Sequence, residues 1–303
     1  MPVKKMDDNS FAGSIVALVT PFRDGGERVD EAAWRRLVRW HVEAGTSAVV
    51  VAGTTGESAT LAHDERDRLL ESALDTAAGG CGVIAGTGAA STRAAVEQSR
   101  RAAELGADAV LVVTPYYNRP PQRGLERHFT AIADASTAPV ILYNVPARTA
   151  VDLAPETVAR LARHENIVAI KEAVAEMDRV ERYSRDGLTV FSGDDPSAFE
   201  AMRHGARGVI SVAANIVPRR VSELCRAALA AEFRRAGELN AGLEALYRFL
   251  SIEPNPIPVK WLLAECGAIG PDIRLPLVEL DERHRAAGRA LLDRVEEPPQ
   301  ASA

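Results

Sequence analysis

One pattern recurs along the 303-residue chain: a short apolar run rich in β-branched residues, a polar turn, then a stretch with helical periodicity. The runs occupy residues 14–19, 48–52, 82–85, 109–113, 139–143, 167–170, 188–191 and 208–212. They are strand-length and apolar on both faces, as expected for a sheet covered on both sides. Helix signals fill the intervals. Asp30 stands at an N-cap position before Glu31, Ala32, Ala33 and Trp34, and Leu37, Val38 and His41 continue the period. Ser91 opens an alanine-rich stretch through Thr92, Arg93 and Ala94, and Pro155 fits a first helical turn ahead of Val158 and Leu161. Strands that alternate with helices form parallel sheets. Eight such units close most economically into an α/β TIM (β/α)8 barrel over residues 11–214, with a doubly wound open sheet as the competing architecture. Residues 215–295 carry helical patterns and no convincing strand, interrupted at Pro254-Asn255-Pro256-Ile257-Pro258, and read as a C-terminal helical extension. The tails, 1–10 and 296–303, read as disordered.

Composition removes several classes of function. No apolar run reaches membrane-spanning length, and the first ten residues contain no apolar segment of the kind a secretory signal needs. A net charge of −6 without a long basic run argues against nucleic acid as a partner. Cys81, Cys225 and Cys266 are odd in number and far apart, which suggests neither a disulfide framework nor a zinc site. The expectation is a cytoplasmic, metal-free enzyme or binding protein.

In such a barrel the chemistry gathers at the carboxyl ends of the strands. Lys171 ends the run Asn166-Ile167-Val168-Ala169-Ile170-Lys171-Glu172. An amine held among apolar side chains loses hydration, which lowers its pKa and makes it a nucleophile toward carbonyl carbon. Taken alone, Lys171 marks no more than the point where a buried strand meets water. Its company changes the reading. The other strand ends carry Thr20, Gly53-Thr54-Thr55-Gly56-Glu57-Ser58, Thr87, Thr114-Pro115-Tyr116-Tyr117, Tyr143-Asn144, Gly193-Asp194-Asp195 and Ser211. Hydroxyls, phenols and one lysine suit proton transfer around an imine. In the glycine-bracketed loop, inward-turned N–H groups can cradle a small anion, although an ordinary glycine-rich turn has the same letters. Tyr143 can relay a proton or simply pack its ring in the core. Arg148 can clamp a carboxylate in bidentate fashion or stand on the surface. Many barrels bind phosphate after strands seven and eight, but here Asp194 and Asp195 would repel it and no cation follows until Arg219. The substrate is then unphosphorylated, pyridoxal phosphate is not the partner of the lysine, and Lys171 reacts with the substrate itself, without a cofactor.

Five ordered motifs carry a family resemblance: Gly53-Thr54-Thr55-Gly56-Glu57-Ser58, Val113-Thr114-Pro115-Tyr116-Tyr117-Asn118, Tyr143-Asn144-Val145-Pro146, Lys171-Glu172-Ala173 and Ser192-Gly193-Asp194-Asp195. Together with Glu253-Pro254-Asn255-Pro256-Ile257-Pro258-Val259-Lys260, they make a chain that resembles dihydrodipicolinate synthase from about residue 11 to residue 277. The resemblance implies a barrel enzyme of lysine and diaminopimelate biosynthesis that condenses pyruvate with L-aspartate 4-semialdehyde. It implies a Schiff base between Lys171 and pyruvate, with Thr54 and Thr55 on the pyruvate carboxylate. A proton relay through Tyr143, Thr55 and Tyr117 is implied too, with Tyr117 reaching in from a neighbouring subunit of a homotetramer built from tight dimers. Arg148 would take the carboxylate of the semialdehyde, and Gly193 and Ile210 would line the site with backbone groups.

One departure concerns regulation. Lysine-inhibited relatives tend to carry a histidine or glutamate, an asparagine and a glutamate where this chain has Arg66, Ala90 and Ala94, while Ser58, Ala59, His63 and Tyr116 still match. A lost acid and an added cation disfavour a cationic amino acid, so weak or absent lysine inhibition is expected. Two alternatives stand beside the synthase. Another pyruvate-imine aldolase, such as an N-acetylneuraminate lyase or a 2-keto-3-deoxy sugar acid aldolase, would share Lys171 and Tyr143 but usually lacks an arginine at Arg148. A non-catalytic barrel that serves as a binding protein is the other.

Overall fold

The computed structural model describes residues 11–292, so the terminal tails lie outside the described residues. Eight parallel strands close into a barrel: β1 (Gly13–Ala17), β2 (Ala48–Val51), β3 (Gly82–Gly86), β4 (Ala109–Val113), β5 (Val140–Asn144), β6 (Ile167–Glu172), β7 (Thr189–Ser192) and β8 (Gly208–Ser211). All eight expected runs are strands, and the open-sheet alternative is excluded because β8 pairs with β1. That seam needs glycine. A Cβ on Gly208 would lie 2.0 Å from the Gly13 carbonyl oxygen, so any larger residue would push the closing strands apart.

Helices surround the barrel: α1 (Glu31–Glu43), α2 (His63–Ala77), α3 (Thr92–Leu105), α4 (Gln122–Ala135), α5 (Pro155–Leu161), α6 (Met177–Arg185), α7 (Ala198–Arg203) and α8 (Pro218–Leu229). Their starts follow the sequence signals. The Asp30 carboxylate accepts from Ala33 N–H, Ser91 Oγ accepts from Ala94 N–H, and Pro155 occupies the first turn of α5. Each cap satisfies a donor that the helix itself leaves free. Helix α8 packs on β1 and completes the ring, within the segment the sequence assigned to the extension. Helices α9 (Phe233–Ala241), α10 (Glu244–Leu250), α11 (Ile257–Glu265) and α12 (Glu282–Arg289) follow. Among the described residues no helix is long and apolar enough to cross a membrane.

Strand alternation sorts the core into two bodies. Val49, Val51, Val110, Val112, Leu142, Ile170 and Val190 face the helices. Ile15, Ala48, Val50, Ile84, Ala109, Leu111, Ile141, Ala169, Phe191 and Ile210 fill the barrel interior. Strand β6 breaks the alternation once. Val140 pairs with Ile167 but Ile141 pairs with Ala169, which leaves Val168 as an extra residue. Ile167 faces the helices, whereas Ala169 faces the interior. Without the extra residue, strict alternation from Ile167 would turn position 171 outward; the bulge reverses the parity and brings Lys171 inside.

Candidate active site

Lys171 and Tyr143 are register partners on adjacent strands, both at interior positions at the carboxyl end of the barrel. The lysine Nζ stands 4.3 Å from the centre of the tyrosine ring. Room for the lysine depends on Gly193, where a Cβ would lie 3.1 Å from Lys171 Cε and 3.0 Å from the Ala173 Cβ. Behind the pair, the outward-facing neighbours lock the strand ends together. Asn144 Nδ2 donates to Glu172 Oε1 at 3.0 Å and to Asp152 Oδ1 at 2.8 Å, while Val174 N–H donates to Glu172 Oε1 at 2.9 Å. Arg179 closes the network with two hydrogen bonds to Asp152, at 2.9 and 2.8 Å.

Lys171 is 5% exposed, and burial pushes its pKa from 10.5 down to about 8. The Asp195 carboxylate resists the fall and the Arg148 guanidinium assists it. At pH 7 about one such amine in ten is neutral, against about one in three thousand at the ordinary value. Burial pushes the Tyr143 phenol in the opposite sense, up to about 12, with Arg148 lowering it and Glu172 raising it. The phenol therefore keeps its proton and can donate it. Glu172 is raised to about 7, mainly by burial.

The carboxyl end of the barrel opens into a cavity of about 650 Å³. Its lining includes Thr54, Thr55, Tyr143, Arg148, Lys171 and Gly193, six of the residues singled out in the sequence. Within the loop, the N–H groups of Gly56, Glu57 and Ser58 are taken by the carbonyls of Gly53, Thr54 and Gly53. Among the described residues no backbone acceptor takes the N–H of Thr54 or Thr55. Two donors thus remain for an anion at the edge of the cavity. Arg148 is carried on the short helical turn Pro146–Thr149, held against β4 by a 3.2 Å hydrogen bond from the Thr114 hydroxyl to the Thr149 hydroxyl.

Two expected residues stand apart. Ile210 packs in the barrel interior and is not among the lining residues. Tyr117 is 94% exposed at φ 72° and is not brought to the cavity by its own chain. Sequence reasoning also missed parts of the site. Tyr247 and Asn255 line the cavity from the extension, and Asn255 Nδ2 donates to Thr55 Oγ1 at 2.9 Å. Asp195, a strand-end residue with no role assigned from the sequence beyond repelling phosphate, accepts from the N–H groups of Val212 and Ala213, both at 2.9 Å. With both N–H groups taken by a carboxylate, neither is left for a phosphate after strand eight. Among the described residues no group of three or more potential metal ligands comes together.

The chain is similar along nearly its whole length to proteins of one kind. The model of the dihydrodipicolinate synthetase family matches residues 10–295. The 4-hydroxy-tetrahydrodipicolinate synthase of Halorhodospira halophila is 50% identical over 285 residues, which cover 92% of this chain and 95% of that protein. Its counterpart in Alcanivorax borkumensis is 53% identical over 274 residues, 89% of this chain and 92% of that protein. Among solved structures, the chloride-inhibited dihydrodipicolinate synthase of Acinetobacter baumannii, complexed with pyruvate, superposes with a TM-score of 0.91 at 47% identity, covering 93% of this chain and 98% of that one. The chain belongs to the dihydrodipicolinate synthetase family.

Proposed function

We propose that this protein is a 4-hydroxy-tetrahydrodipicolinate synthase, a lyase-type enzyme of lysine and diaminopimelate biosynthesis that joins pyruvate to L-aspartate 4-semialdehyde through an imine on Lys171. The neutral Nζ attacks C2 of pyruvate, and water leaves as the carbinolamine collapses to the imine. Tyr143, still protonated, supplies the proton that the departing hydroxyl needs. Loss of a methyl proton gives the enamine, whose carbon attacks the aldehyde. The amine of the semialdehyde portion then closes on the imine carbon and releases Lys171. Thr54 and Thr55 hold the pyruvate carboxylate, and Arg148 holds that of the semialdehyde. No metal or cofactor is required by this sequence of steps.

The observation that carries the reading is the buried Lys171 amine, pushed down to about 8 beside Tyr143 in a cavity of about 650 Å³. In the same reading the enzyme is a cytoplasmic homotetramer, and the exposed Tyr117 enters the site of a neighbouring subunit. Arg148 favours the synthase over a sialic acid or sugar-acid lyase, whose polyhydroxylated substrates call for neutral hydroxyl-binding groups.

Borohydride reduction in the presence of pyruvate, followed by peptide mass analysis, is expected to modify Lys171. A coupled assay should give turnover with L-aspartate 4-semialdehyde and not with N-acetylneuraminate, and Lys171→Ala should stay folded with nearly all turnover lost. Ordinary activity in that variant, or an unmodified Lys171, refutes the assignment.

A further inference from the structure

Four hydrogen bonds fix the loop that carries Thr54 and Thr55, and three of them come from the C-terminal extension. The Thr20 hydroxyl donates to the Gly56 carbonyl at 2.7 Å. Asn255 Nδ2 donates to Thr55 Oγ1 at 2.9 Å. Five residues further on, Lys260 Nζ donates to Glu57 Oε1 at 2.6 Å, and Arg274 N–H donates to the other carboxylate oxygen at 3.1 Å. Glu57 and Lys260 are each 3% exposed. The Lys260 and Arg274 cations also stand over the Phe22 ring, at 4.3 and 4.2 Å from its centre.

A buried ion pair adds little net stability, because desolvating two charges offsets their attraction. What it supplies is selectivity among conformations: only a backbone that delivers the carboxylate to the ammonium is free of a stranded buried charge. The Glu57 backbone stands at φ 55°, ψ 39°, a left-handed conformation that glutamate seldom adopts. Lys260 and Arg274 hold its carboxylate there. Thr54 and Thr55 lie directly upstream, and Glu57 N–H donates to the Thr54 carbonyl at 3.1 Å. A rotation at Glu57 would therefore be passed to both threonines.

We infer that Lys260, acting through Glu57, is a positioning residue that holds Thr54 and Thr55 in the conformation that binds the pyruvate carboxylate, with Asn255 fixing the Thr55 hydroxyl from the same segment. The inference rests on the function proposed above. It predicts a loss of pyruvate affinity that is separate from any loss of fold.

The test uses Lys260→Met, Glu57→Gln and the double variant Glu57→Gln/Lys260→Met in the full-length enzyme. The measurements are the pyruvate dependence of borohydride trapping at Lys171, kcat in the coupled assay and the thermal midpoint. Lys260→Met should raise half-saturating pyruvate about tenfold, the order expected when one charge-assisted hydrogen bond is lost, with kcat changed less than about threefold. Glu57→Gln keeps an oxygen for only one of the two donors and strands the Lys260 ammonium, so it should lower the thermal midpoint and raise half-saturating pyruvate as Lys260→Met does. The double variant, with neither charge stranded, should recover the thermal midpoint yet retain the raised half-saturation. That variant also decides the matter should Lys260→Met fail to fold. Recovery of midpoint and pyruvate affinity together overturns the inference alone, since the pair is then merely structural. A wild-type protein that traps no pyruvate overturns the proposed function and this inference with it.

Discussion

Replacing Lys171 by methionine should make the protein more stable at neutral pH while abolishing its chemistry. The amine is 5% exposed and its pKa in the folded state is about 8, whereas in the unfolded chain it returns to about 10.5. Below pH 8 both states hold the proton, and the folded state bears the cost of a charged amine that burial has desolvated. The fold therefore carries a penalty that is fully present below about pH 8, is relieved between about 8 and 10.5, and is absent above that. A displacement of this size corresponds to about 3 kcal/mol at pH 7. Methionine has a similar length, fits irregular apolar space and carries no charge, so the variant escapes the penalty without leaving a large void. For a chain of this size the gain amounts to several degrees in the thermal midpoint. The assay is urea unfolding of wild type and Lys171→Met at matched protein concentration, because any linked assembly makes midpoints concentration-dependent. The difference between the two proteins should be largest at pH 7 and should vanish as the pH approaches 10.5, where other titrations affect both equally. A variant no more stable than wild type at pH 7, or a gain that persists unchanged to pH 10.5, refutes the claim that burial holds the amine partly neutral.

The Arg148 guanidinium both faces the cavity and lowers the Lys171 pKa, so Arg148→Ala should act twice. The Michaelis constant for the semialdehyde should rise about 10- to 100-fold, as expected for a lost charged hydrogen bond, and the acid limb of the imine-formation rate should move to higher pH. A limb unmoved in stopped-flow trapping would dissociate Arg148 from the lysine. L-Lysine should inhibit weakly or not at all in steady-state assays. The reason is charge: Arg66, tied to the Ser58 carbonyl and to Gln98 Oε1, is a cation at a position where the family resemblance implies a histidine or glutamate in lysine-inhibited relatives. Half-inhibition by sub-millimolar lysine would contradict this.

The barrel was legible because its signals are local and redundant. Runs such as Ala109-Val110-Leu111-Val112-Val113 are apolar on both faces, and caps such as Asp30 and Ser91 announce the helices between them. Lys171, Tyr143, Thr54, Thr55 and Gly193 were legible as strand-end residues once the barrel was assumed, Arg148 as a cation a few residues past one of them, and all six line one cavity. The unpaired Val168 was not legible, since a bulge leaves no mark in a run that is apolar throughout. Asn255 and Lys260 stand in the sequence only as letters of a motif, because a partner 200 residues away cannot be inferred from spacing. Tyr117 was visible as a residue, but its own chain leaves it on the surface.

The dipeptides at the strand ends follow from the two-residue period of a strand. Of each adjacent pair, one side chain enters the cavity and the other turns toward the helices. Tyr143 and Lys171 face inward, and Asn144 and Glu172, one residue later, meet each other on the outer side. Val113 and Thr114 divide in the same way, with the Thr114 hydroxyl reaching the turn that carries Arg148. The outer member of each pair fixes the strand end that aims the inner one, so reactivity and rigidity come from neighbouring letters. A chain that read Glu-Lys in place of Lys171-Glu172 would keep its composition and its charge. It would nevertheless put a carboxylate beside Tyr143 and an ammonium opposite Asn144 and Arg179, and lose both the buried amine and the lock.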